Sequence, residues 1–214
     1  MTGEAPLGGG IIAAGEGRRL RRAGWTVPKP LVPVAGVPLI ELVIRNFLAA
    51  HITSLTIIVN EQARDCVEWI RSRFPHLAPE FIVKSTGSSL ESFMEVAARH
   101  PVGRMVISTV DAWCVEADFV RFVEAGRVTH LGERSGELVT AGMYLVPEHV
   151  RTMRAPSELG RLREFLTWLF RSGEPLYGEV IQTVVDVDRA EDRALAEALA
   201  LAAMESSPRL GGVV

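Results

Sequence analysis

Cysteine and basic charge are both scarce in this sequence of 214 residues. The two cysteines, Cys66 and Cys114, are too few and too isolated for a disulfide framework or a zinc site with cysteine ligands. The five histidines show no spacing typical of metal ligands. Lysine and arginine together number 23, and aspartate and glutamate 26, which gives a formal net charge of −3. This balance predicts no basic face, so we expect no nucleic-acid partner.

Long hydrophobic runs are also missing. Apolar stretches such as Leu55–Val59 are far shorter than the ~20 residues of a membrane-spanning helix, and Glu197 interrupts the Ala/Leu-rich stretch near the C-terminus. The apolar patch Ile11–Ala14 precedes a group of arginines, which reverses the charge order of a signal peptide. We therefore expect a cytoplasmic protein with no membrane partner.

Instead, the sequence has short β-rich segments that alternate with segments of helical periodicity. Continuous β-branched residues predict short buried strands at Leu55–Val59, Phe81–Val83 and Met105–Ile107. Apolar residues at i, i+3 and i+4 predict helices at Leu39–Ala50, Ala63–Phe74 and Ser89–Arg99. This alternation indicates an α/β protein with a doubly wound, mostly parallel sheet and helices on both faces. Ligands bind such sheets at the carboxyl ends of the strands.

The second half of the chain is less regular. Strands are predicted at Leu138–Val146 and Thr183–Val187, and helices at Glu158–Arg171 and Ala190–Met204. Asp188, with Glu191 three residues later, fits the N-cap of the last helix. A chain of this length, 48% of it apolar, is most simply a single domain covering residues 1–214.

A glycine-rich loop follows the first predicted strand. Gly15 and Gly17 would let backbone N–H groups approach an anion, and the arginines beside them suit phosphate. The loop lacks the Gly-Lys-Ser/Thr of a Walker motif, and it lacks the third glycine of a dinucleotide-binding loop, which disfavours an oxidoreductase. An ordinary turn is an equally good interpretation of this loop taken alone.

Lys29 stands between Pro28 and Pro30. The two prolines hold its backbone extended, so a stiff frame aims the side chain. A solvated lysine in a proline-rich loop is the alternative interpretation.

Together, these two segments resemble the N-terminal signature of the sugar-nucleotidyltransferase superfamily. The matching blocks are Ala13-Ala14-Gly15-x-Gly17-x-Arg19-Leu20 and Pro28-Lys29-Pro30-Leu31-x-Pro33-Val34-x-Gly36-x-Pro38-Leu39. The resemblance continues at Val106–Asp111, Thr140–Tyr144 and Val185–Asp192. It implies a Rossmann-like fold with a nucleotide-binding half, about residues 8–111, and an acceptor-binding half, about residues 112–204. It also implies transfer of NMP from an NTP to a sugar-1-phosphate, polyol phosphate or alcohol phosphate, with release of pyrophosphate.

The resemblance implies a role for individual residues of the nucleotide-binding half. Nucleotide-binding positions are expected at Ala13, Ala14, Gly15, Gly17, Arg18, Thr86, Gly87 and Ser88. Arg19 and Lys29 are expected to be catalytic residues that contact the phosphates: Arg19 the triphosphate, and Lys29 a phosphate at the reacting centre. Ser88 has an ordinary alternative, because a serine at this position can simply cap the following helix.

The resemblance also implies a magnesium site. Asp111 is expected to be one ligand, at the end of a buried strand. Asp186 and Asp188 lie two apart and therefore on the same face of a strand, and either could be the second ligand.

The acceptor side is implied less sharply. Only 28 residues separate Asp111 from Thr140, a stretch in which the family commonly has an extra strand and a sugar-binding Glu-Lys segment. Glu133 and Arg134 would be the remnant of that segment, with Thr140 and Gly142 completing the acceptor site. Because this stretch is short, a catalytically silent nucleotide-binding module of the same fold is the alternative function.

Overall fold

The computed structural model describes residues 7–100, 103–125 and 140–206. The strands are β1 (Gly8–Ala13), β2 (Pro33–Val34), β3 (Val37–Pro38), β4 (Leu55–Val59), β5 (Glu80–Val83), β6 (Met105–Thr109), β7 (Ala112–Cys114), β8 (Met143–Val146) and β9 (Val184–Asp186). The α-helices are α1 (Arg18–Arg22), α2 (Leu39–Ala49), α3 (Arg64–Arg73), α4 (Ser89–Arg99), α5 (Glu116–Ala125), α6 (Glu148–Arg151), α7 (Leu162–Arg171) and α8 (Ala190–Ser206). Short 3₁₀ helices occupy Lys29–Leu31 and Glu61–Ala63.

Five strands form the central sheet in the order β5-β4-β1-β6-β8. The first four are parallel to one another, and only β8 is antiparallel to its neighbour, β6. Two small antiparallel pairs, β2 with β3 and β7 with β9, lie outside this sheet. The predicted mostly parallel α/β sheet is therefore confirmed.

Helices cover both faces of the sheet, each over its own apolar core. On one face α2 and α5 meet where the rings of Phe47 and Phe119 pack edge to face with centroids 5.0 Å apart. On the other face α4 and α7 meet at Phe93 and Phe165, with ring centroids 6.0 Å apart. This two-sided burial explains why the strands consist of continuous apolar runs. No helix among the described residues is both long enough and apolar enough to cross a bilayer.

The central strand β1 begins with three glycines, which are normally weak strand formers. Here the neighbouring elements approach so closely that a side chain would not fit. A Cβ atom on Gly9 would lie 2.4 Å from Leu55 Cδ2, and one on Gly10 would lie 2.4 Å from Val96 Cγ1. The glycines thus allow close packing on both sides of the strand whose carboxyl end carries the glycine-rich loop.

Two predicted boundaries in the second half are corrected. The helix predicted from Glu158 begins at Leu162, because the Glu164 carboxylate accepts hydrogen bonds from the backbone N–H groups of Gly160 and Arg161 and fixes the first turn there. The strand predicted at Leu138–Val146 is β8, which begins at Met143; residues 138 and 139 lie outside the described residues.

The cap of the last helix is also corrected. The carboxylate that reaches back to it belongs to Asp192, not Glu191, and it accepts hydrogen bonds from the backbone N–H groups of Asp188 and Arg189. The Asp188 side chain is consequently directed elsewhere, toward two cations described below.

Candidate active site

The carboxyl ends of three adjacent strands meet at one edge of the sheet. Because β1, β4 and β6 are parallel neighbours, the residues that follow them lie side by side. Gly15 comes after β1, Asn60 directly after β4, and Asp111 shortly after β6. The loop from Thr26 to Lys29 lines, together with Gly15 and Asn60, a cavity of about 120 Å³.

Lys29 is the buried cation of the site, with a side chain only 5% exposed. Its Nζ lies 2.5 Å from Asp111 Oδ2 and also donates to Asp188 Oδ1. Gly17 helps to hold it, since this residue has φ of +62° and a Cβ atom there would lie 2.8 Å from Lys29 Cβ. Gly17 therefore serves both the left-handed backbone and the close approach to Lys29.

The two arginines of the glycine-rich loop point to different partners. Arg19 Nη1 donates to Asp188 Oδ2 over 2.7 Å, so Arg19 and Lys29 share the same carboxylate. Arg18 instead pairs with Glu16 on the surface. Arg19 is thus the arginine that the structure brings to the predicted metal ligands.

Three carboxylates gather beside Lys29. One oxygen each from Asp111, Asp186 and Asp188 can be chosen so that all three lie within 4.8 Å of one another. Pairing of β7 with β9 creates the cluster, because Ala112 stands opposite Asp186 and the Val187 N–H donates to the Asp111 carbonyl over 2.9 Å. Hard oxygen donors at this spacing fit a divalent cation such as Mg²⁺.

Charge in the cluster is unevenly balanced. Burial would lower the pKa of Lys29, but the charges of Asp111 and Asp188 outweigh it and raise that pKa. Burial would raise the pKa of Asp111, but the ammonium of Lys29 outweighs it and lowers that pKa. For Asp186, burial and then the negative charges of the other two aspartates raise the pKa to about 6. Lys29 and Asp111 therefore form a stable ion pair, whereas Asp186 carries the uncompensated negative charge.

Gly142, predicted on the acceptor side, lies against Thr109, the residue whose side chain supports Asp111. Its φ is +72°, and a Cβ atom there would lie 2.4 Å from Thr109 Oγ1. The Thr109 side chain in turn hydrogen-bonds Asp111, and the Thr109 N–H donates to the Gly142 carbonyl over 2.8 Å. Thr140 is exposed and hydrogen-bonds the Tyr144 side chain. Glu133 and Arg134 lie outside the described residues.

The segment predicted to close over the base is bonded to its own helix. Ser88 Oγ accepts from the Glu91 N–H over 3.1 Å, so Ser88 caps α4. Gly87 N–H donates to the Glu91 carboxylate over 2.7 Å, and the hydroxyls of Thr86 and Ser92 lie 2.6 Å apart. The capping alternative holds for Ser88, and the base-binding role of this segment stays a prediction.

Asn60 is a site residue that the sequence interpretation missed. It is buried, and its Nδ2 donates to the Ala14 carbonyl over 3.2 Å, so it fixes the glycine-rich loop after Ala13. The available signal was a polar residue placed directly after a buried strand, Leu55–Val59, that neighbours β1. A Cβ atom on Gly15 would meet nothing within 4 Å, so the loop backbone beside it is open.

Comparison with known proteins identifies a family and a relative that this chain resembles. The model of the MobA-like NTP transferase domain family matches residues 9–133, which is more than half of the chain. A 2-aminoethylphosphonate cytidylyltransferase from Lancefieldella rimae is 30% identical over 90 residues, covering 40% of this chain and 36% of that relative. The match therefore spans little more than a third of the relative's length.

Solved structures share the fold across almost the whole chain. The inositol-1-phosphate CTP transferase from T. maritima superposes with a TM-score of 0.73 at 14% identity, covering 94% of this chain and 97% of that one. A UDP-glucose pyrophosphorylase from Acinetobacter baumanii gives a TM-score of 0.75 at 12% identity, with coverage of 96% and 95%. At such low identity these likenesses establish the fold alone.

Proposed function

Because this chain belongs to the MobA-like NTP transferase domain family, we propose that it transfers NMP from an NTP to a small phosphorylated or phosphonylated acceptor and releases pyrophosphate. The observation that carries the proposal is the meeting of Lys29 and Arg19 with Asp111 and Asp188 at the carboxyl edge of the sheet. Phosphate-binding cations and metal-binding carboxylates, drawn from four separate segments, are what this reaction requires side by side.

No group of the protein needs to form a covalent bond in this reaction. An oxygen of the acceptor's phosphate or phosphonate attacks the α-phosphorus of the NTP and forms the new P–O bond. The bond from the α-phosphorus to the bridging oxygen of the β-phosphate breaks, and its electron pair leaves with pyrophosphate. The nucleophile is already an anion, so no general base is needed. This agrees with the composition of the cluster, which contains only cations and carboxylates.

Lys29 and Arg19 would stabilise the negative charge on the phosphates. Lys29 is charged, buried and pre-aimed, so little reorganisation is needed when its partner changes from a carboxylate to a phosphate. Arg19 also lines a groove of about 390 Å³ between α1 and the start of α8, together with Arg22 and Arg189. Glu191 also lines the groove and pairs with Arg189, so three arginines face one carboxylate there, and this excess of positive charge favours the pyrophosphate side of the triphosphate.

Asp111, with Asp186 and Asp188, would hold Mg²⁺. When bound, the ion supplies a Lewis acid that neutralises charge at the reacting phosphate. The three aspartates place their carboxylates together, and Lys29 and Thr109 hold Asp111 in one orientation.

The acceptor and the base are proposed from the relatives. The cytidylyltransferase and the inositol-1-phosphate CTP transferase make CTP the first nucleotide to test, with products of the nucleotide-sugar type or activated alcohols. 2-Aminoethylphosphonate, inositol-1-phosphate and glucose-1-phosphate form a graded acceptor panel, since they share an anionic phosphorus group and differ in the body attached to it.

A pyrophosphate-release screen tests the proposal. ATP, CTP, GTP and UTP are each incubated with Mg²⁺ and each acceptor, and thermal protection by each NTP is measured in parallel. We expect one NTP both to protect the chain and to yield pyrophosphate with an acceptor. Protection without release across the panel would favour the silent nucleotide-binding module, and no protection by any NTP would exclude both functions.

A further inference from the structure

The C-terminal helix α8 is fastened to the loop that carries Lys29. Arg193 Nε, in the first turns of α8, donates to the Pro33 carbonyl over 2.8 Å. Its Nη2 pairs with Glu197 Oε1 over 2.8 Å, and Glu197 Oε1 in turn accepts from the Ala35 N–H over 3.2 Å. The Arg193 guanidinium also lies 5.0 Å from the ring centroid of Trp25. One side chain therefore contacts the loop on both sides of Lys29.

The loop between Lys29 and Pro33 is short and stiff. The Val32 N–H donates to the Lys29 carbonyl over 3.1 Å and closes the 3₁₀ turn, and the Leu39 N–H donates to the Val32 carbonyl over 3.0 Å. A shift of Pro33 is therefore transmitted directly to Lys29. Arg193 is only about one-fifth exposed and its partner Glu197 about one-third, so solvent competes weakly for these bonds.

The same helix segment reaches Lys29 by a second route. Asp188, two residues before α8, pairs with Lys29. The Asp192 carboxylate accepts hydrogen bonds from the backbone N–H groups of Asp188 and Arg189 and so holds this segment against the helix. In the proposed reaction this ion pair must be given up, because Asp188 turns to a metal ion and Lys29 to a phosphate. The contact between Arg193 and Pro33 involves neither Lys29 nor Asp188, so that exchange does not require it to break.

We propose that Arg193 is a positioning residue, which holds the Lys29 loop in place when the ion pair between Lys29 and Asp188 opens. The proposal rests on the proposed nucleotidyltransferase function and adds to it a residue outside the cluster. Loss of the contact between Arg193 and Pro33 should act mainly by displacing Lys29. A displacement of about 1 Å can cost about a hundredfold in rate.

A double-mutant cycle tests the proposal, with the affinity for CTP and Mg²⁺ measured by calorimetry and the pyrophosphate-release rate as readouts. Should another NTP give the strongest protection in the screen, that NTP replaces CTP. We expect Arg193→Met to weaken binding and lower the rate about ten- to a hundredfold in the native background. In a Lys29→Met background the same change should lower binding less than about twofold, since the two residues then act through one contact.

Arg73→Met is the matched control. Arg73 also pairs with a carboxylate, the buried Glu41, and its guanidinium lies 5.9 Å from the ring centroid of Phe74, but it joins α2 to α3. It should lower thermal stability without weakening nucleotide binding. If Arg193→Met does not fold, Arg193→Lys, which keeps the charge but not the forked geometry, enters the same cycle.

Three outcomes would overturn the proposal. Additive effects of Arg193→Met and Lys29→Met would show that Arg193 does not act through Lys29. Equal losses of binding for Arg193→Met and Arg73→Met would show a general stability effect. Absence of nucleotide binding by the native chain would refute the proposed function and this inference with it, and is distinguished from the other two because it requires no variant.

Discussion

Lys29 Nζ and Asp111 Oδ2 lie 2.5 Å apart although 82 positions separate the two residues in the sequence. Each was predicted to bind a different partner, Lys29 a phosphate and Asp111 a metal ion. They neutralise each other, and Asp188 pairs with both Lys29 and Arg19. The groups predicted to bind ligands thus compensate one another's buried charges.

Asp111→Asn should lower Mg²⁺-dependent turnover by orders of magnitude. The substitution removes a charged ligand at nearly constant volume, and a loss on the order of 10²–10³ in rate is expected from one preorganised charged group. Stability should fall by about 1–3 kcal/mol, because Lys29 keeps Asp188 as a partner. Pyrophosphate release and urea unfolding measure the two effects.

Glu41→Gln is the control for Asp111→Asn. Glu41 is also a buried carboxylate that pairs with two cations, Arg45 and Arg73, and it lies on α2 away from the site. It should lose stability and keep turnover at temperatures where it is folded. Near-native turnover by Asp111→Asn would make that residue structural and remove it from the metal site.

Lys29→Met should tighten the binding of a divalent cation in the absence of nucleotide. The ammonium of Lys29 occupies the oxygens that a metal ion needs, so its removal leaves Asp111 without its cation and Asp188 with Arg19 alone. Titration with Mn²⁺, followed by electron paramagnetic resonance, should show about a tenfold or greater gain in affinity, since one lost ion pair is worth about 1.5–3 kcal/mol. Turnover should fall at the same time.

Lys84→Met separates this effect from a general change in charge. Lys84 is the other lysine of the chain, and it also pairs with two carboxylates, Glu91 and Glu95, at 2.9 and 2.7 Å. It should leave Mn²⁺ affinity at the cluster unchanged. Weaker or unchanged Mn²⁺ binding by Lys29→Met would contradict the competition between lysine and metal.

Much of the cluster could be predicted because its parts are local. The family resemblance at Val106–Asp111 implied that Asp111 stands at a strand end, and the frame of two prolines marked Lys29. The direction of Asp188 could not be predicted, since Glu191 and Asp192 both stand in the first turn of α8 and only packing selects Asp192 as the cap. An aspartate just before a helix can either cap that helix or bind a metal ion, and the sequence alone does not distinguish the two roles.

Other features depend on contacts that no local pattern contains. The glycines of β1 weaken a strand by propensity, yet they are required because Leu55 and Val96 approach within 2.4 Å of their missing side chains. Asn60 is a single polar residue after a strand, and its bond to the Ala14 carbonyl exists only because β4 neighbours β1. Arg193 is likewise separated from Pro33 by 160 positions.

Gly142→Ala should be more destabilising than Gly36→Ala. Both glycines have positive φ, +72° and +79°, so both substitutions carry backbone strain of about 1 kcal/mol or more. Only at Gly142 does the new Cβ atom also meet an atom, Thr109 Oγ1 at 2.4 Å, whereas at Gly36 nothing lies within 4 Å. The difference in unfolding free energy, expected to be about 1–3 kcal/mol, isolates that clash.

The same pair reports on Asp111. Because Thr109 hydrogen-bonds the Asp111 carboxylate, Gly142→Ala should also weaken Mn²⁺ binding, and Gly36→Ala should not. Equal unfolding free energies for the two variants would mean that the Thr109 side chain can move away from the new Cβ atom at no cost. Gly142 would then not support the metal site.

Asp186→Asn and Asp188→Asn should change stability in opposite directions in metal-free buffer at pH 7.5. Burial and then the charges of Asp111 and Asp188 raise the pKa of Asp186 to about 6, from an ordinary value of 3.8. The native state therefore binds this proton more tightly than the unfolded chain does, and above pH 6 the ionised carboxylate destabilises the fold. Asp188, by contrast, pairs with Lys29 and Arg19, so its removal should cost about 1–3 kcal/mol.

The gain from Asp186→Asn has a defined pH window. It should be fully present at pH 7.5, decline as the pH falls below about 6, and vanish below 3.8, where Asp186 is protonated in both the native and the unfolded chain. Because Asp186 is exposed, solvent screening limits the gain to on the order of 1 kcal/mol. Urea unfolding in a chelator at several pH values measures it, with Glu68→Gln, an exposed carboxylate on α3, as the control that should show no such gain. A loss of stability for Asp186→Asn at pH 7.5 would mean that its carboxylate is paired with a cation in solution, and the excess negative charge assigned to the cluster would then be wrong.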